Sequence, residues 1–314
     1  MSEMDTVAVV MEAPERLSLR RLALQHFTAT DVVVDIDWSG ISTGTERLLW
    51  SGRMPPFPGM GYPLVPGYES VGRVVEAGCD AKARIGEQVF VPGSNCFKDA
   101  RGLFGGAAHR VIVPSSRAIA INDQVQEQGV LIALAATAQH AIAGGDAPQL
   151  IVGHGVLGRL LARLTIAGGH AAPTVWETNP ARQSGATGYK VLHPDQDPRR
   201  DYSVIVDVSG DSAILDSLIA RLAKGGEVVL AGFYDKPLSF AFPPSFMKEA
   251  RLRVAAEWKA PDLATTLAAI DDGRLSLDGL ITHRMDASQA DQAYRTAFGD
   301  VSCLKMILDW RTCS

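Results

Sequence analysis

The chain has 314 residues, of which 46% are hydrophobic and 21% are charged, and its formal net charge is −5 at pH 7. This balance is typical of a globular protein with a buried core, and the lack of a basic stripe excludes nucleic acid as an expected partner. The acidic start MSEMDTVAVV and the shortness of the longest apolar run, GVLIALAATAQHAIAGG, predict a cytoplasmic protein with no signal peptide and no integral membrane segment.

Residues 1–123 read as short strands separated by Gly and Pro. The β-branched runs that predict these strands are TVAVVM, DVVVDIDWSG, ESVGRVVEAG, EQVFVPG and HRVIVP. Residues 51–68, SGRMPPFPGMGYPLVPGY, are crowded with Pro and Gly and predict an irregular loop. We therefore expect a β-rich first domain, built as a small barrel or curled sheet.

From residue 124 onward, apolar strands alternate with helical periods. The segments are QLIVGHG, VLGRLLARLTIAGG, APTVWE, YSVIVDVSG, AILDSLIARLAKGG and EVVLAGFY. Such alternation predicts βαβ units and an α/β domain with a doubly wound parallel sheet, which we assign to residues 124–256. Residues 257–314 form a third segment with two helical patterns and a final strand, CLKMILDW.

Gly153, Gly155 and Gly158 fit the pattern G-x-G-x-x-G between a predicted strand and a predicted helix. The first glycine allows a tight turn, the second lets the backbone approach a pyrophosphate, and the third permits close helix packing. Val156 and Leu157 begin the helix, whose N-terminus favours phosphate. This context predicts a dinucleotide site.

Glu177 closes the next strand, near the spacing of about 20 residues expected after the glycines. A carboxylate there accepts hydrogen bonds from ribose hydroxyls and repels a 2′-phosphate, so NAD is favoured over NADP, although the nearby Arg182 softens that preference. Asp207 and Ser209 end another strand and are predicted to face the cofactor. Simple turn chemistry is the alternative for both.

Four segments resemble the medium-chain dehydrogenase/reductase family. They are GISTGTE (40–46), PGYESVGRVVEAG (66–78), ALAATAQHAI (133–142) and KGGEVVLAG (224–232). The resemblance covers nearly the whole chain. It implies a GroES-like catalytic domain, then a Rossmann domain, and a C-terminal segment, 257–314, that returns to complete the catalytic domain.

Zinc-dependent members of this family hold a catalytic zinc with three protein ligands. The matching positions here are Ser42, Tyr68 and Ala133, and none is a normal zinc ligand. The family's structural zinc lobe needs four cysteines, but the corresponding loop, PGSNCFKDARGLFGG, has only Cys96. We therefore expect no zinc of either kind, so alcohol deprotonation has to come from side chains.

The resemblance places hydroxyl and carboxyl groups near the former metal position. The candidates are Ser42, Thr43, Thr45, Glu46, Tyr68 and Glu69. We assign catalytic roles to Thr45, which matches the first hydroxyl of the family's proton relay, to Tyr68, which suits a substrate oxygen, and to Glu69, as proton acceptor or orienting group. The alternatives are a packing aromatic for Tyr68 and an ion pair with an arginine for Glu69.

Residues 39–78 are also similar to family members that oxidise the 3-(1-hydroxyethyl) group of a magnesium chlorin or bacteriochlorin to 3-acetyl with NAD. That resemblance implies a wide, apolar, partly aromatic slot. The residues that we assign to substrate binding are Ser42, Trp50, Phe57, Tyr62 and His140. A structural role is the alternative for His140.

Two other functions stay open from the sequence. One is a zinc-free NADPH quinone or enone reductase of the same family, against which Glu177 argues. The other is a non-catalytic tetrapyrrole-binding protein, against which the intact glycine pattern argues. A homo-oligomeric state and a location at the surface of the photosynthetic membrane are also left open.

Overall fold

The computed structural model describes residues 4–56 and 58–313. Phe57, which was predicted to bind substrate, lies outside them. The chain divides into two compact units. The first unit runs to Ala133 and resumes at Leu280, and the second unit is Leu134–Gly279.

The secondary structure is mixed. In chain order the strands are β1 (Asp5–Ala13), β2 (Arg16–Ala23), β3 (Asp31–Ile41), β4 (Leu64–Val65), β5 (Ser70–Ala77), β6 (Gln88–Val91), β7 (Arg101–Gly102), β8 (Arg110–Pro114), β9 (Ile119–Ala120), β10 (Leu150–Val152), β11 (Thr174–Trp176), β12 (Lys190–Leu192), β13 (Tyr202–Asp207), β14 (Leu222–Leu230), β15 (Arg251–Val254), β16 (His283–Asp286) and β17 (Met306–Asp309). The α-helices are α1 (Thr45–Trp50), α2 (Ile132–Ile142), α3 (Val156–Ala167), α4 (Leu215–Arg221), α5 (Phe242–Lys248), α6 (Ala260–Asp271) and α7 (Ala290–Gly299). Short 3-10 helices cover Lys82–Arg84, Ser115–Arg117, Asp123–Leu131, Pro180–Arg182, Pro194–Gln196 and Ala287–Gln289.

In the first unit the long strand β3 is the centre of a sheet. The sheet has the order β16-β17-β3-β5-β6-β9, and β8 also pairs with β3. A second sheet has the order β2-β1-β4-β7. Val32, Val33 and Val34 are all buried, as expected of a strand covered on both faces. Because β17 pairs antiparallel with β3, the C-terminal segment returns to the β-rich unit, as predicted.

The second unit is a parallel sheet in the order β12-β11-β10-β13-β14-β15. Its central strands are almost entirely apolar and buried, which is typical of strands in a doubly wound sheet. Strand order reverses beside β10, and the carboxyl ends of the strands at such a point form the usual ligand crevice. The glycine pattern follows β10 directly, so the predicted Rossmann fold is confirmed.

The unit boundaries differ from those predicted at 123/124 and 256/257. The 3-10 helix Asp123–Leu131 packs against β3 and β5, which keeps it in the first unit. Helix α6 belongs to the second unit, where Asp262 hydrogen-bonds His140 at 2.8 Å. Both contacts are distant in sequence, so local periodicity does not reveal them.

The helix predicted over AILDSLIARLAKGG is also shorter than expected. Helix α4 ends at Arg221, and Leu222 already has an extended backbone as the first residue of β14. Leu222 is fully buried opposite Tyr202 of β13, so it packs as part of the sheet and not as a further turn of the helix. Among the described residues we find no helix of sufficient length and apolarity to cross a membrane.

Gly158 is predicted to be essential for packing α3 onto the loop after β10. A Cβ at Gly158 would lie 1.9 Å from the carbonyl oxygen of Gly153, whereas a Cβ at Gly155 meets no atom of the described chain within 4 Å. We therefore expect Gly158→Ala to lower the free energy of unfolding by about 1–3 kcal/mol, as overpacking does. Gly155→Ala is the matched control and should keep most of the stability. Urea denaturation measures both, and equal losses would contradict this role for Gly158.

Candidate functional site

The former metal position holds a group of hydroxyls. Ser42 follows the end of β3 and Tyr68 precedes β5, and these strands pair with Ser39 opposite Ser70. The pairing brings Ser42 Oγ to 2.6 Å from Tyr68 Oη. Thr45, the first residue of α1, also hydrogen-bonds the Tyr68 side chain. Three predicted residues therefore lie together.

Exposure separates the members of this hydroxyl cluster, which we define as Ser42, Thr45 and Tyr68. Ser42 is buried, whereas Thr45 and Tyr68 are half-buried. Thr45 and Tyr68 are therefore the members that can contact a substrate, and Ser42 supports them from beneath.

Glu46 lies behind the hydroxyl cluster and is fully buried. One carboxylate oxygen accepts a hydrogen bond from the backbone N–H of Ser42 at 3.1 Å. The other accepts from Tyr294 Oη of α7 at 2.7 Å. The C-terminal segment therefore holds Glu46, and Glu46 in turn holds the backbone of Ser42.

Glu69 is fully buried and forms an ion pair with the buried Lys305. Lys305 Nζ also donates to the carbonyl oxygen of Ile41 at 3.1 Å. The alternative of an internal ion pair for Glu69 is thus what the structure shows, with lysine in place of arginine. Gly40 is required beside this pair because a Cβ there would lie 2.3 Å from a Glu69 carboxylate oxygen.

These contacts change the ionisation of the site. Burial and the charge of Glu69, opposed by the hydrogen bond from Tyr294, together raise the pKa of Glu46 to about 7. Burial likewise raises the pKa of Glu69, against the charge of Lys305. Burial and the charge of Glu69 raise the pKa of Tyr68 well above its usual value. Tyr68 is therefore a neutral phenol that can donate a hydrogen bond to an oxygen.

Tyr294 and Lys305 were not among the predicted site residues, and Glu46 was a candidate without an assigned role. A signal exists for two of them. Lys305 interrupts the apolar run CLKMILDW, and Tyr294 lies on the apolar side of ASQADQAYRTAF, where it is fully buried. A charged residue in an apolar strand is seldom buried without a partner, so Lys305 indicated a buried acid.

Three residues predicted to bind substrate make internal contacts instead. Trp50 packs against Phe298, with 5.6 Å between ring centroids. Tyr62 Oη donates to the backbone carbonyl of Leu49. His140 belongs to the second unit, where it bonds to Asp262, so the structural alternative fits it better. Ser42 is the member of the predicted set that lies in the hydroxyl cluster.

The donor atoms at the former metal position do not fit zinc. Ser42, Tyr68 and Ala133 offer two neutral hydroxyls and a methyl group. In the part of the chain that the structure describes, no three His, Cys, Asp or Glu side chains are grouped to hold a metal ion. Cys96, in the loop where the structural zinc lobe was sought, is a buried core residue.

The glycine loop of the second unit fits a dinucleotide. Gly153 has φ +103°, a conformation that favours glycine, and it makes the turn out of β10. Gly155 precedes α3 and has no side chain to cap it, so space stays open above the helix. The N–H groups of Val156, Leu157 and Gly158 lie in the first turn and lack intrahelical acceptors. Free N–H groups at a helix N-terminus are the kind of arrangement that suits a pyrophosphate.

Glu177 is anchored beside this loop. Its two carboxylate oxygens accept from the backbone N–H groups of His154, at 3.1 Å, and Asn179, at 2.8 Å. His154 is itself fully buried between the carbonyl oxygen of Arg182 and the hydroxyl of Tyr189. Burial lowers the pKa of His154, which keeps the ring neutral. Glu177 therefore has a fixed orientation at the end of β11.

Asp207 and Ser209 make their hydrogen bonds within the second unit. Asp207 is fully buried, and its carboxylate accepts from Tyr234 Oη at 2.6 Å and from the Ser209 N–H at 3.0 Å. Ser209 Oγ accepts from the Asp211 N–H at 3.1 Å. Turn contacts, the alternative to cofactor binding, account for the bonds of Ser209, whereas Asp207 is also held by Tyr234 from outside the turn.

Glu46 is predicted to make stability depend on pH. Its pKa rises from an ordinary 4.5 to about 7 on folding, so the native state favours the protonated acid. The contribution of Glu46 to the free energy of unfolding is complete below pH 4.5 and is lost as the pH rises through about 7. Its total is about 3 kcal/mol. Glu46→Gln should remove this loss of stability with rising pH. Tyr294→Phe removes a hydrogen bond that lowers the pKa of Glu46, so the loss of stability should extend to higher pH. Denaturant unfolding across this pH range is the measurement, and an unchanged profile in Glu46→Gln would contradict the assignment.

Comparison with known proteins gives a consistent result. A family model described as the alcohol dehydrogenase GroES-like domain matches residues 28–123. The 2-desacetyl-2-hydroxyethyl bacteriochlorophyllide A dehydrogenase of Rhodobacter capsulatus is 59% identical over 311 residues, covering 98% of this chain and 99% of that protein. The protein of the same name from Cereibacter sphaeroides is 58% identical over 315 residues, with 98% and 99% covered. A solved short chain alcohol dehydrogenase from Escherichia coli, complexed with NADH, has the same fold, with a TM-score of 0.83 and 20% identity over 97% of this chain and 99% of that chain. The chain therefore belongs to the medium-chain dehydrogenase/reductase family, in which it matches bacteriochlorophyllide A dehydrogenases along nearly its whole length.

Proposed function

We propose that the protein is a zinc-independent, NAD-dependent dehydrogenase that oxidises the 3-(1-hydroxyethyl) group of a chlorophyllide or bacteriochlorophyllide to a 3-acetyl group in bacteriochlorophyll a biosynthesis. The observation that carries the substrate is the 59% identity, over 98% of this chain, to a 2-desacetyl-2-hydroxyethyl bacteriochlorophyllide A dehydrogenase, whose name specifies a hydroxyethyl-bearing bacteriochlorophyllide. The hydroxyl cluster supports zinc independence, because it offers proton-carrying groups where zinc-dependent relatives have ligands.

The cofactor would be held by the second unit. The N–H groups at the start of α3 suit the pyrophosphate, and the fixed carboxylate of Glu177 suits the hydroxyls of the adenosine ribose. The same negative charge disfavours the 2′-phosphate of NADP, which supports NAD. When bound, the nicotinamide supplies the acceptor for the hydride of the alcohol carbon.

The first unit would manage the alcohol proton. Tyr68 holds the substrate oxygen, and as the carbon gives up its hydride, the O–H proton passes to Tyr68 Oη. In the same step the phenol proton of Tyr68 moves to Thr45, which hydrogen-bonds Tyr68, and the half-buried Thr45 passes its own hydroxyl proton to water, so no doubly protonated phenol forms. Ser42 holds Tyr68 Oη in place through its own hydrogen bond. The charge of Glu69 prevents Tyr68 from staying ionised, so Glu69 acts by orienting and by electrostatics from its buried position. Overall, the alcohol becomes a ketone, its hydride goes to the nicotinamide and its proton goes to solvent.

The central test is oxidation of the 3-(1-hydroxyethyl) pigment by the purified protein. We expect NADH to form together with the acetyl pigment, and kcat/KM to favour NAD over NADP by at least about tenfold, the factor for one charged contact. Elemental analysis should find far less than one zinc per chain, and chelators should not change the rate. Preference for NADPH with a quinone or enone substrate supports the reductase instead. Pigment binding without turnover supports the binding protein.

The hydroxyl cluster is expected to carry acid–base catalysis. General acid–base groups contribute about 10²–10⁴-fold, so Tyr68→Phe and Thr45→Ala should each lower kcat by at least about tenfold with NAD affinity unchanged. Tyr202→Phe is the matched control, since that buried phenol bonds Asp197 within the second unit. Steady-state kinetics on folded variants are the measurement. Normal kcat in both cluster variants would move the acid–base role elsewhere.

We also propose a homo-oligomer formed through an exposed apolar face of the second unit. The face consists of Phe242, Phe246, Met247, Leu252 and Val254. Val254 is 76% exposed on β15, which ends the sheet, and Met247 is 72% exposed on the adjacent α5. An edge strand beside an apolar patch favours a second copy of the same strand across a two-fold axis.

Val254→Asp is expected to shift the protein to the monomer, because two copies would bring like charges together at the edge strand. Val301→Asp, at a 54% exposed position of the first unit, is the control and should not change the mass. Sedimentation velocity measures both variants. A monomeric wild-type protein would contradict the proposal.

A further inference from the structure

An aromatic ring reaches the surface beside the hydroxyl cluster. Phe104 is 36% exposed, whereas Leu103 and Phe97 of the same loop are buried in the core. The Phe104 ring meets the Tyr68 ring edge to face, with 5.4 Å between centroids and 88° between planes. The loop therefore buries its other large apolar side chains and presents one ring next to Tyr68.

The backbone fixes that ring in place. The N–H groups of Leu103 and Gly105, on either side of Phe104, both donate to the carbonyl oxygen of Val65 at 2.9 Å. The carbonyl oxygen of Phe104 accepts from the Ser94 N–H at 2.7 Å. An exposed aromatic side chain held on so constrained a backbone loses little conformational entropy when a ligand covers it.

Gly93 provides the space for this arrangement. A Cβ at Gly93 would lie 2.2 Å from the carbonyl oxygen of Phe104 and 2.9 Å from its Cβ. Gly93 also has φ +91°, which L side chains rarely adopt. The lack of a side chain at Gly93 is thus a condition for the position of Phe104.

We propose that the exposed surface of Phe104 is the stacking surface for the flat conjugated ring of the substrate, and that Phe104 thereby sets specificity for planar macrocycles. The proposal rests on the proposed function for the identity of the ring. Conjugated rings pair with aromatic side chains at centroid distances of about 4.5–7 Å. A ring against Phe104 would carry a substituent at its edge toward Tyr68, the neighbour that we assign to the alcohol oxygen.

Binding of the 3-acetyl pigment, which has no alcohol to oxidise, tests the stacking surface without turnover. Phe104→Leu should raise the Kd of the 3-acetyl pigment by about tenfold, because leucine keeps an apolar side chain but removes the ring. Phe104→Trp should restore binding. Phe240→Leu is the control, since Phe240 is a 44% exposed phenylalanine of the second unit, and it should leave the Kd unchanged. Quenching of tryptophan fluorescence by the pigment is the readout for the variants that keep the wild-type tryptophans, and pigment absorbance is the readout for Phe104→Trp.

Kinetics on the hydroxyethyl pigment complete the test. Phe104→Leu should raise KM by about the same factor as Kd while kcat and NAD affinity change little, since stacking binds the ring away from the reacting carbon. Unchanged Kd and KM in Phe104→Leu overturn the stacking role and leave the proposed function standing. A wild-type protein that binds the pigment without oxidising it overturns the proposed function alone, and one that does neither overturns both.

Discussion

The buried ion pair between Glu69 and Lys305 is the contact on which the first unit's site depends. Removing two charges from water is costly, and the cost is offset only when the charges are paired and further hydrogen-bonded. Lys305 also donates to the carbonyl oxygen of Ile41, whereas the Glu69 carboxylate relies on the ion pair with Lys305 and has no further hydrogen-bond partner among the described residues. The pair therefore joins the end of β3, the start of β5 and the residue before β17. These are the same segments that supply Ser42 and Tyr68.

The electrostatics of the hydroxyl cluster follow from this pair. Burial and the charge of Glu69 raise the pKa of Glu46, whereas the hydrogen bond that Tyr294 donates from α7 opposes the rise. The same negative surroundings keep Tyr68 a neutral phenol. The first unit thus places buried charge behind the hydroxyl cluster, whose members we propose as the proton-carrying groups.

The second unit uses backbone geometry in place of buried charge. Gly153 turns the chain, Gly158 admits α3 close to the loop, and Gly155 leaves the helix end open. Glu177 is oriented by two backbone N–H groups, one of them from His154 within the glycine loop itself. One loop therefore fixes both the proposed pyrophosphate site and the acid that we assign to the ribose.

Local sequence determined the features that depend on neighbouring residues. Apolar runs, turn residues and the spacing of three glycines were sufficient for the β-rich unit, the parallel sheet and the dinucleotide loop. The family resemblance, and not the local pattern, placed Ser42, Thr45 and Tyr68 together, and the pairing of β3 with β5 brings the loops at their ends close in space. The helix prediction was too long for AILDSLIARLAKGG, because its apolar residues belong first to α4 and then, from Leu222, to β14.

Tertiary structure alone decided the partners of the buried polar groups. Tyr294 reaches Glu46 across 248 residues of sequence, and Lys305 reaches Glu69 from the far end of the chain. It also decided that Asp207 and His140 are satisfied by Tyr234 and Asp262. The physical reason is that a buried polar side chain must find a partner, but the folded chain path, which periodicity does not encode, determines which partner is within hydrogen-bond distance.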